Sequence, residues 1–214
     1  MTIDPSALAG TRRTLHGVAE LVLAGPQFRA SGTIRLRVVP GGFATVAAPE
    51  LTLDGTHLVA GTARLALRDT TYGELAAAAG VEAGAPADLY RDGSGVSASE
   101  PVVLDADVTG YLLSCFEVGD AALRRLLPEV TPVLWPEHFD VGVGADEVNY
   151  GVSLGDAGVP EPYAYVGPWQ AKVGEFWNVS FGAARGLREL TDVDAVLAFF
   201  EAGRERARLD PAAG

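Results

Sequence analysis

The chain has 214 residues, 48% of them hydrophobic, and a formal net charge of -12. This length and composition suit a single folded domain with a sizeable core. The negative charge argues against nucleic-acid partners, because phosphate binding needs clustered Lys and Arg, and Lys172 is the single lysine. It disfavours an anionic membrane surface for the same reason, and no segment approaches the ~20 apolar residues of a membrane span. Cys115 is the single cysteine, so no disulfide framework forms, and we expect a cytoplasmic protein.

The first part of the chain predicts helices followed by antiparallel strands. One helical pattern is interrupted at Gly10, and the apolar pattern after it ends at Gly25-Pro26. Asp54-Gly55 is a strong hairpin turn signal, and Thr71 with Glu74 forms a capping box for a short helix. Alternating side chains predict strands at 34–38, 51–53, 56–60 and 63–67.

Residues 81–101 are rich in Gly, Ala, Pro, Asp and Ser and show no periodicity, which predicts a mobile loop. We expect this loop to join two halves, 1–80 and 102–214, of a single domain. After it, Asp105 caps a long helix that Gly119-Asp120 breaks, and Thr191 caps the final helix. Further strands are predicted at 139–143, 148–152, 163–166 and 176–181.

Short turns between consecutive strands indicate an antiparallel sheet and an α+β fold. We predict about seven to eight strands in two helix-plus-strands halves, with the helices packed on one face. The similar order of elements in the halves fits either pseudo-symmetry or chance, since no residue-level repeat is present.

Several motifs together resemble an uncharacterised, mostly actinobacterial family of unknown function. They are TLHGVAELVLAGPQ (14–27), LWPEHFD (134–140), SLGD (153–156), PEPYAYVGPW (160–169), FWNVSFGA (176–183) and AVLAFFEAGRERA (195–207). The resemblance covers most of the chain and implies a shared fold, without an activity. That family often has a tryptophan-rich region in its first half, whereas this chain has no tryptophan before Trp135.

The hairpin at 138–153 presents the first group of candidate site residues. With a four-residue turn at 144–147, His138 lies opposite Ser153, and Asp140 and Asn149 share that polar face. A base beside a hydroxyl and a carboxylate fits nucleophilic catalysis, but no nucleophile-elbow sequence surrounds Ser153. A ligand-binding polar face and a solvated hairpin face are the alternatives. We expect His138 to be partly buried and hydrogen-bonded, with His16 and His57 more exposed.

The segment PEPYAYVGPW adds aromatic side chains to this group. Tyr163 and Tyr165 point the same way on a strand, Glu161 precedes them, and Trp169 and Trp177 are candidate walls of a cleft. The same aromatics would also serve as a cap on the core. The predicted binding residues are His138, Asp140, Asn149, Ser153, Glu161, Tyr163, Tyr165, Trp169 and Trp177.

Two classes of function fit these residues. One is a small-molecule-binding protein with a His, carboxylate and aromatic pocket in 135–178, and whether it is an enzyme stays open. The other is a non-catalytic domain that binds another protein, or a second copy as a homodimer, through its Trp- and Tyr-rich rim. We predict no metal site, because no two histidines have metal-ligand spacing, and no cofactor, because no phosphate-binding loop occurs.

Overall fold

A computed structural model of the chain describes residues 3–90 and 93–213. These residues form an α+β fold with one antiparallel sheet of ten strands, in the order β10-β9-β8-β7-β6-β1-β2-β3-β4-β5. The fold class and the antiparallel sheet are confirmed, but the strand number is ten rather than seven or eight. The packing of helices on one face stays a prediction. Within the described ranges, no helix is both long and apolar enough to cross a membrane.

The elements have the following bounds. The helices are α1 (Pro5–Gly17), α2 (Gly25–Ser31), α3 (Tyr72–Ala78), α4 (Ala106–Leu126) and α5 (Val193–Leu209), and a π-helical segment (Val18–Ala24) joins α1 to α2. The strands are β1 (Leu36–Val39), β2 (Gly42–Thr45), β3 (Leu51–Asp54), β4 (His57–Ala60), β5 (Ala63–Ala66), β6 (Val133–Trp135), β7 (Asp140–Ala145), β8 (Val148–Ser153), β9 (Tyr163–Pro168) and β10 (Ala183–Gly186).

The chain divides into two compact units, which we call unit 1 and unit 2. Unit 1 comprises Met1–Ser114 and Leu134–Phe139, and unit 2 comprises Cys115–Val133 and Asp140–Gly214. The predicted halves 1–80 and 102–214 stay a prediction. Residues 91 and 92 of the predicted loop at 81–101 lie outside the described residues.

The first helical stretch of unit 1 runs from Pro5 to Ser31 without the predicted interruptions at Gly10 and Gly25-Pro26. A proline inside an α-helix clashes with the carbonyl four residues earlier, and a π-helical turn removes that alignment. The π-helical segment directly before Pro26 therefore lets the helix continue. It ends where Gly32 adopts the left-handed conformation, with φ of 74°.

Two predictions in the second half of the chain are also corrected. Helix α4 passes through Gly119 unbroken, because this glycine lies against β8, where a Cβ would come within 2.7 Å of a Val152 methyl group. The predicted strand 176–181 is a turn region, and the strand begins at Ala183 instead. The Asn178 side chain exchanges two hydrogen bonds with the backbone of Ala184, which fixes the turn ahead of β10.

Gln27 ties the end of the long helix to the strands of unit 1. Its side chain is fully buried, and its amide nitrogen donates to the carbonyls of Thr33 and Arg35 at 3.0 and 2.9 Å. Its amide oxygen accepts from the backbone N–H groups of Val46 and Ala47 at 2.7 and 2.8 Å. One side chain thus satisfies four backbone groups.

In unit 2, α5 packs on the face of β8 and β9 that carries Tyr150 and Val166. The rings of Tyr150 and Phe200 meet edge to face, with centroids 6.0 Å apart. Gly203 allows the close approach of helix and sheet, since a Cβ there would lie 2.6 Å from a Val166 methyl group. The other face of these strands is consequently free of α5.

Replacing Gln27 by leucine should destabilise the protein by about 3 kcal/mol or more. The substitution keeps the side-chain volume but leaves up to four backbone groups of unit 1 without a partner, at ~1–3 kcal/mol for each buried group. Urea unfolding followed by circular dichroism measures the change. The matched control is Gln170→Leu at an exposed position, where we expect a change within about 0.5 kcal/mol. Equal effects of the two variants would contradict the role of Gln27.

Candidate functional site

The β7–β8 hairpin has a tighter turn than predicted. Asp146 and Glu147 both adopt positive φ, at 53° and 60°, which is the backbone of a two-residue hairpin turn. Asp140 therefore pairs with Ser153, two positions away from the predicted pairing of His138 with Ser153. A shift of two residues keeps every side chain on its predicted face. The polar face of the hairpin is thus as expected, and its register is not.

The prediction for His138 is wrong. Its side chain is 68% exposed, and the nearest carboxylate is that of Glu137, with 3.9 Å between Nε2 and Oε1. The cause is local, because Phe139 adopts a φ of 51° and the strand begins only at Asp140. Ser153 therefore has a carboxylate opposite it instead of a histidine, and the Ser-His-Asp arrangement does not form.

The other histidines are less exposed than His138, which reverses the predicted order. The His16 ring stacks on Phe139 with centroids 5.0 Å apart, and its Nε2 lies 2.6 Å from the carbonyl oxygen of Pro136. Burial lowers the pKa of His16, although the Pro136 carbonyl acts in the opposite direction. The ring is therefore a neutral imidazole that donates from Nε2. His57 is half-buried on β4.

Four of the predicted residues do come together in unit 2, on the face of the strands that α5 does not cover. The Tyr165 hydroxyl donates to the Asp140 carboxylate, and the Tyr163 hydroxyl donates to Asp156 at 2.5 Å. Ser153 lies opposite both Asp140 and Tyr163 in the sheet. Asp156 is a member of this group that the sequence did not single out as a site residue, although it closes the SLGD motif.

Glycines form the floor beneath Tyr165. Its ring lies directly over Gly151, where a Cβ would come within 2.5 Å of the phenol carbon, and its hydroxyl lies over Gly142. Phe181 covers both tyrosines, with ring centroids 6.2 Å from Tyr163 and 6.4 Å from Tyr165. The rings thus fill the space that the glycines leave, so the Asp140 carboxylate is enclosed rather than presented to a ligand.

This enclosure changes the ionisation of both tyrosines. Burial raises the pKa of Tyr165 well above its usual value, and the negative charge of Asp140 raises it further. Burial also raises the pKa of Tyr163, with the Asp156 carboxylate acting in the same direction. Both side chains are therefore neutral donors throughout the ordinary pH range.

The remaining predicted residues are dispersed over unit 2. The Trp169 indole donates to the Asn149 side chain at 3.2 Å, and Trp169 is 70% exposed. Glu161 forms an ion pair with Arg188 at 2.8 Å. The Trp177 indole donates to the Asp210 carboxylate near the end of α5, at 3.0 Å. The side chains of Glu161, Trp169 and Trp177 thus have separate partners.

Unit 1 contains a second candidate site, which the sequence analysis missed. Glu20 lies in the π-helical segment and is only 4% exposed. The backbone N–H and the hydroxyl of Ser94 both donate to its Oε2, at 2.9 and 2.5 Å. Gly93 approaches so closely that a Cβ there would lie 2.1 Å from Oε1. A buried carboxylate is thus held between a helix and a distant loop.

The loop itself is anchored to the long helix by several hydrogen bonds. Gly84 donates its N–H to the carbonyl of Leu21 at 2.9 Å, and its own carbonyl accepts from Arg29. Arg13 donates to the carbonyl of Gly95 at 2.9 Å. The described parts of 81–101 therefore form a wall over the π-helical segment. The mobility of the loop stays a prediction.

Together these elements enclose a cleft of about 400 Å³. The Glu20 carboxylate lies at its base. The hydroxyl of Tyr90 is buried beside the Glu20 carboxylate. Burial and the neighbouring Glu20 carboxylate raise the pKa of Tyr90 well above its usual value. The described lining residues are Glu20, Leu21, Gly84, Ala85, Pro86, Tyr90, Gly93, Gly95, Val96 and Ala98.

The sequence does carry a signal for Glu20. It is the single charged residue in the run VAELVLA, and all seven residues of that run are buried. A lone carboxylate inside an apolar helical run requires a buried partner or a ligand.

No family model, curated protein or solved structure matches this chain. Its resemblance to the actinobacterial family stays a prediction, and the function must be argued from the geometry of the two sites.

Replacing Tyr165 by phenylalanine should reduce the free energy of unfolding by about 1–3 kcal/mol at pH 7, because the Asp140 carboxylate loses a buried donor. The pH dependence should change as well. Unfolding frees the phenol to ionise near pH 10, whereas the folded state keeps it protonated, so the stability of the wild type falls as the pH rises above about 10. The variant should show a shallower fall. Denaturant unfolding at pH 7 and across the alkaline range tests both points, and equal stability at pH 7 would contradict the role of this bond.

Proposed function

We propose that the protein binds a small molecule in the cleft of unit 1, with the Glu20 carboxylate as the principal polar contact. The observation that carries this proposal is a carboxylate that is 4% exposed yet lines an open cleft. Desolvation of a charged group costs several kcal/mol unless partners replace the lost water. A ligand with hydrogen-bond donors would supply such partners.

The arrangement of donors around Glu20 supports this proposal. Ser94 donates two hydrogen bonds to the carboxylate, both to Oε2, and the Tyr90 hydroxyl lies beside it. An ionised carboxylate has about four acceptor sites, so part of its capacity is left for a ligand. The π-helical segment adds to the argument, since π-helical turns occur frequently at functional sites.

The cleft also has the size and lining of a small-molecule site. Ligand sites usually have volumes of ~300–1,000 Å³, apolar walls and a few polar groups. Other clefts of this chain have similar volumes, of about 480, 410 and 370 Å³, but their carboxylates, such as those of Glu74, Glu50 and Glu201, are exposed. The buried carboxylate sets the unit 1 cleft apart, and we place the ligand there rather than in residues 135–178.

A thermal-shift screen of the wild type against a library of metabolites tests this proposal. A ligand that binds the folded state raises the melting temperature in proportion to its occupancy. We expect at least one compound to stabilise the wild type and to lose this effect in Glu20→Gln. Glutamine still accepts hydrogen bonds from Ser94, so the variant should fold. The control is Glu129→Gln at an exposed position, which should respond like the wild type. Hits that stabilise Glu20→Gln equally would place the site elsewhere.

A second candidate function rests on the aromatic side chains of unit 2. Trp169 is 70% exposed and Phe181 is 44% exposed, and β10 next to them is an edge strand of the sheet. Exposed aromatics beside an open strand edge are typical of association surfaces. We propose a second copy of the chain as the occupant of this face.

Self-association through this face predicts that Trp169→Ser and Phe181→Ser shift the protein towards the monomer. Sedimentation velocity over a range of concentrations measures this shift. The control is Val103→Ser, which removes a comparably exposed apolar side chain from unit 1 and should leave the association unchanged. A wild type that is monomeric at all concentrations would rule out this second candidate.

A further inference from the structure

We propose that the ligand of the unit 1 cleft is an organic cation, with one primary ammonium group on a short apolar body. This inference rests on the proposed function and specifies its ligand class. Of the described residues that line the cleft, Glu20 is the sole charged one. A single buried negative charge is best compensated by a single positive charge. A negatively charged or neutral ligand would leave the desolvated carboxylate without a counter-ion.

Two arginines that hold the loop over the cleft do not take this role. Arg13 forms an ion pair with Glu100 at 2.9 Å and donates to the carbonyl of Gly95. Arg29 directs its guanidinium to the carbonyls of Glu82 and Gly84. Both cations are therefore engaged with the outer loop, and neither forms an ion pair with Glu20.

The hydrogen-bonding groups of the cleft match an ammonium group. An ammonium has three donors and no acceptor. The Glu20 carboxylate is an acceptor, and the buried Tyr90 hydroxyl beside it offers a second acceptor oxygen even when its own hydrogen points to Glu20. A ligand carboxylate would instead face the Glu20 charge, and like charges at this depth repel strongly.

The remaining walls favour an apolar body behind the ammonium group. Leu21, Pro86 and Val96 present aliphatic surface to the cleft, and Ala85 and Ala98 add small side chains. The Tyr90 ring is positioned in the same lining and can contact either an aliphatic chain or the cation itself. The net charge of -12 also raises the local concentration of cations around the protein.

Three probes of matched shape test the inference: benzylammonium, benzyl alcohol and benzoate. They differ in charge but share one ring and a similar length. Titration of ¹⁵N-labelled wild-type protein, followed by two-dimensional NMR, reports both affinity and location. We expect benzylammonium to bind at least about tenfold more tightly than benzyl alcohol, and benzoate not to bind. The Ser94 amide, which donates to Glu20, should show one of the largest shifts.

Two variants identify the groups responsible. Glu20→Gln should weaken benzylammonium binding about tenfold or more and bring it close to that of benzyl alcohol, while Glu129→Gln leaves it unchanged. Tyr90→Phe should weaken it several-fold, because the variant loses the hydroxyl oxygen that accepts from the ammonium group. Because the comparison of the three probes uses the wild type, it stands even where a variant fails to fold.

The outcomes separate this inference from the proposed function. If benzyl alcohol and benzylammonium shift the Ser94 amide with equal affinity, the inference of a cationic ligand is wrong, and the cleft remains a ligand site. Tighter binding of benzoate than of benzylammonium would also contradict the cationic ligand. If no probe shifts the Ser94 amide at millimolar concentration while the metabolite screen yields a Glu20-dependent hit, the cation is wrong and the cleft stands. If neither the NMR titration nor the thermal-shift screen detects binding, both the ligand site and its cationic ligand are wrong.

Discussion

In unit 1 the backbone N–H of Gly25 reaches back five residues to the carbonyl of Glu20, and the wider turn frees the carbonyl of Leu21 to accept from Gly84. This exchange fastens the loop to the helix. Gly25 makes it sterically feasible, because a Cβ there would lie 1.6 Å from the Gly84 carbonyl oxygen. The same turn lets the helix continue through Pro26 and bring Gln27 to the strands. The buried position of Glu20, the cleft above it and the link to the sheet all depend on one widened turn.

Local patterns in the sequence predicted the fold class, and long-range contacts account for what they missed. Asp54-Gly55 predicted its hairpin, and the alternation at 139–152 predicted the correct faces of β7 and β8, because both signals act within a few residues. The predicted register of β7 with β8 was wrong for a local reason: it depends on the left-handed backbone of Asp146 and Glu147, and a glutamate seldom adopts that conformation. The four-residue turn predicted at 144–147 instead places His138 in the hairpin, opposite Ser153.

The candidate sites were predictable only in part, because the sequence shows alternation along a strand but not contacts between distant segments. Tyr163 and Tyr165 share a face because side chains alternate along a strand, so their proximity followed from the sequence. The contact between Glu20 and Ser94 spans 74 positions, and no periodicity reports such a separation. The Gly-rich composition of 81–101 predicts a mobile loop and gives no indication of a contact with Glu20. In the described residues, Gly93 instead serves to let the loop reach the carboxylate.

The two units bury carboxylates in contrasting ways, and the contrast bears on which site binds a ligand. Asp140 in unit 2 lies under Tyr165, whose ring fills the space above Gly142 and Gly151, so its charge is met by a side chain of the same unit. The rings of Tyr163, Tyr165 and Phe181 pack against one another beside this carboxylate. Glu20 in unit 1 accepts two hydrogen bonds from Ser94 and lines a cleft. A carboxylate that only anchors the loop does not need to line a cleft, because an enclosed position would hold the loop equally well. That open side is therefore better explained by a ligand than by folding alone.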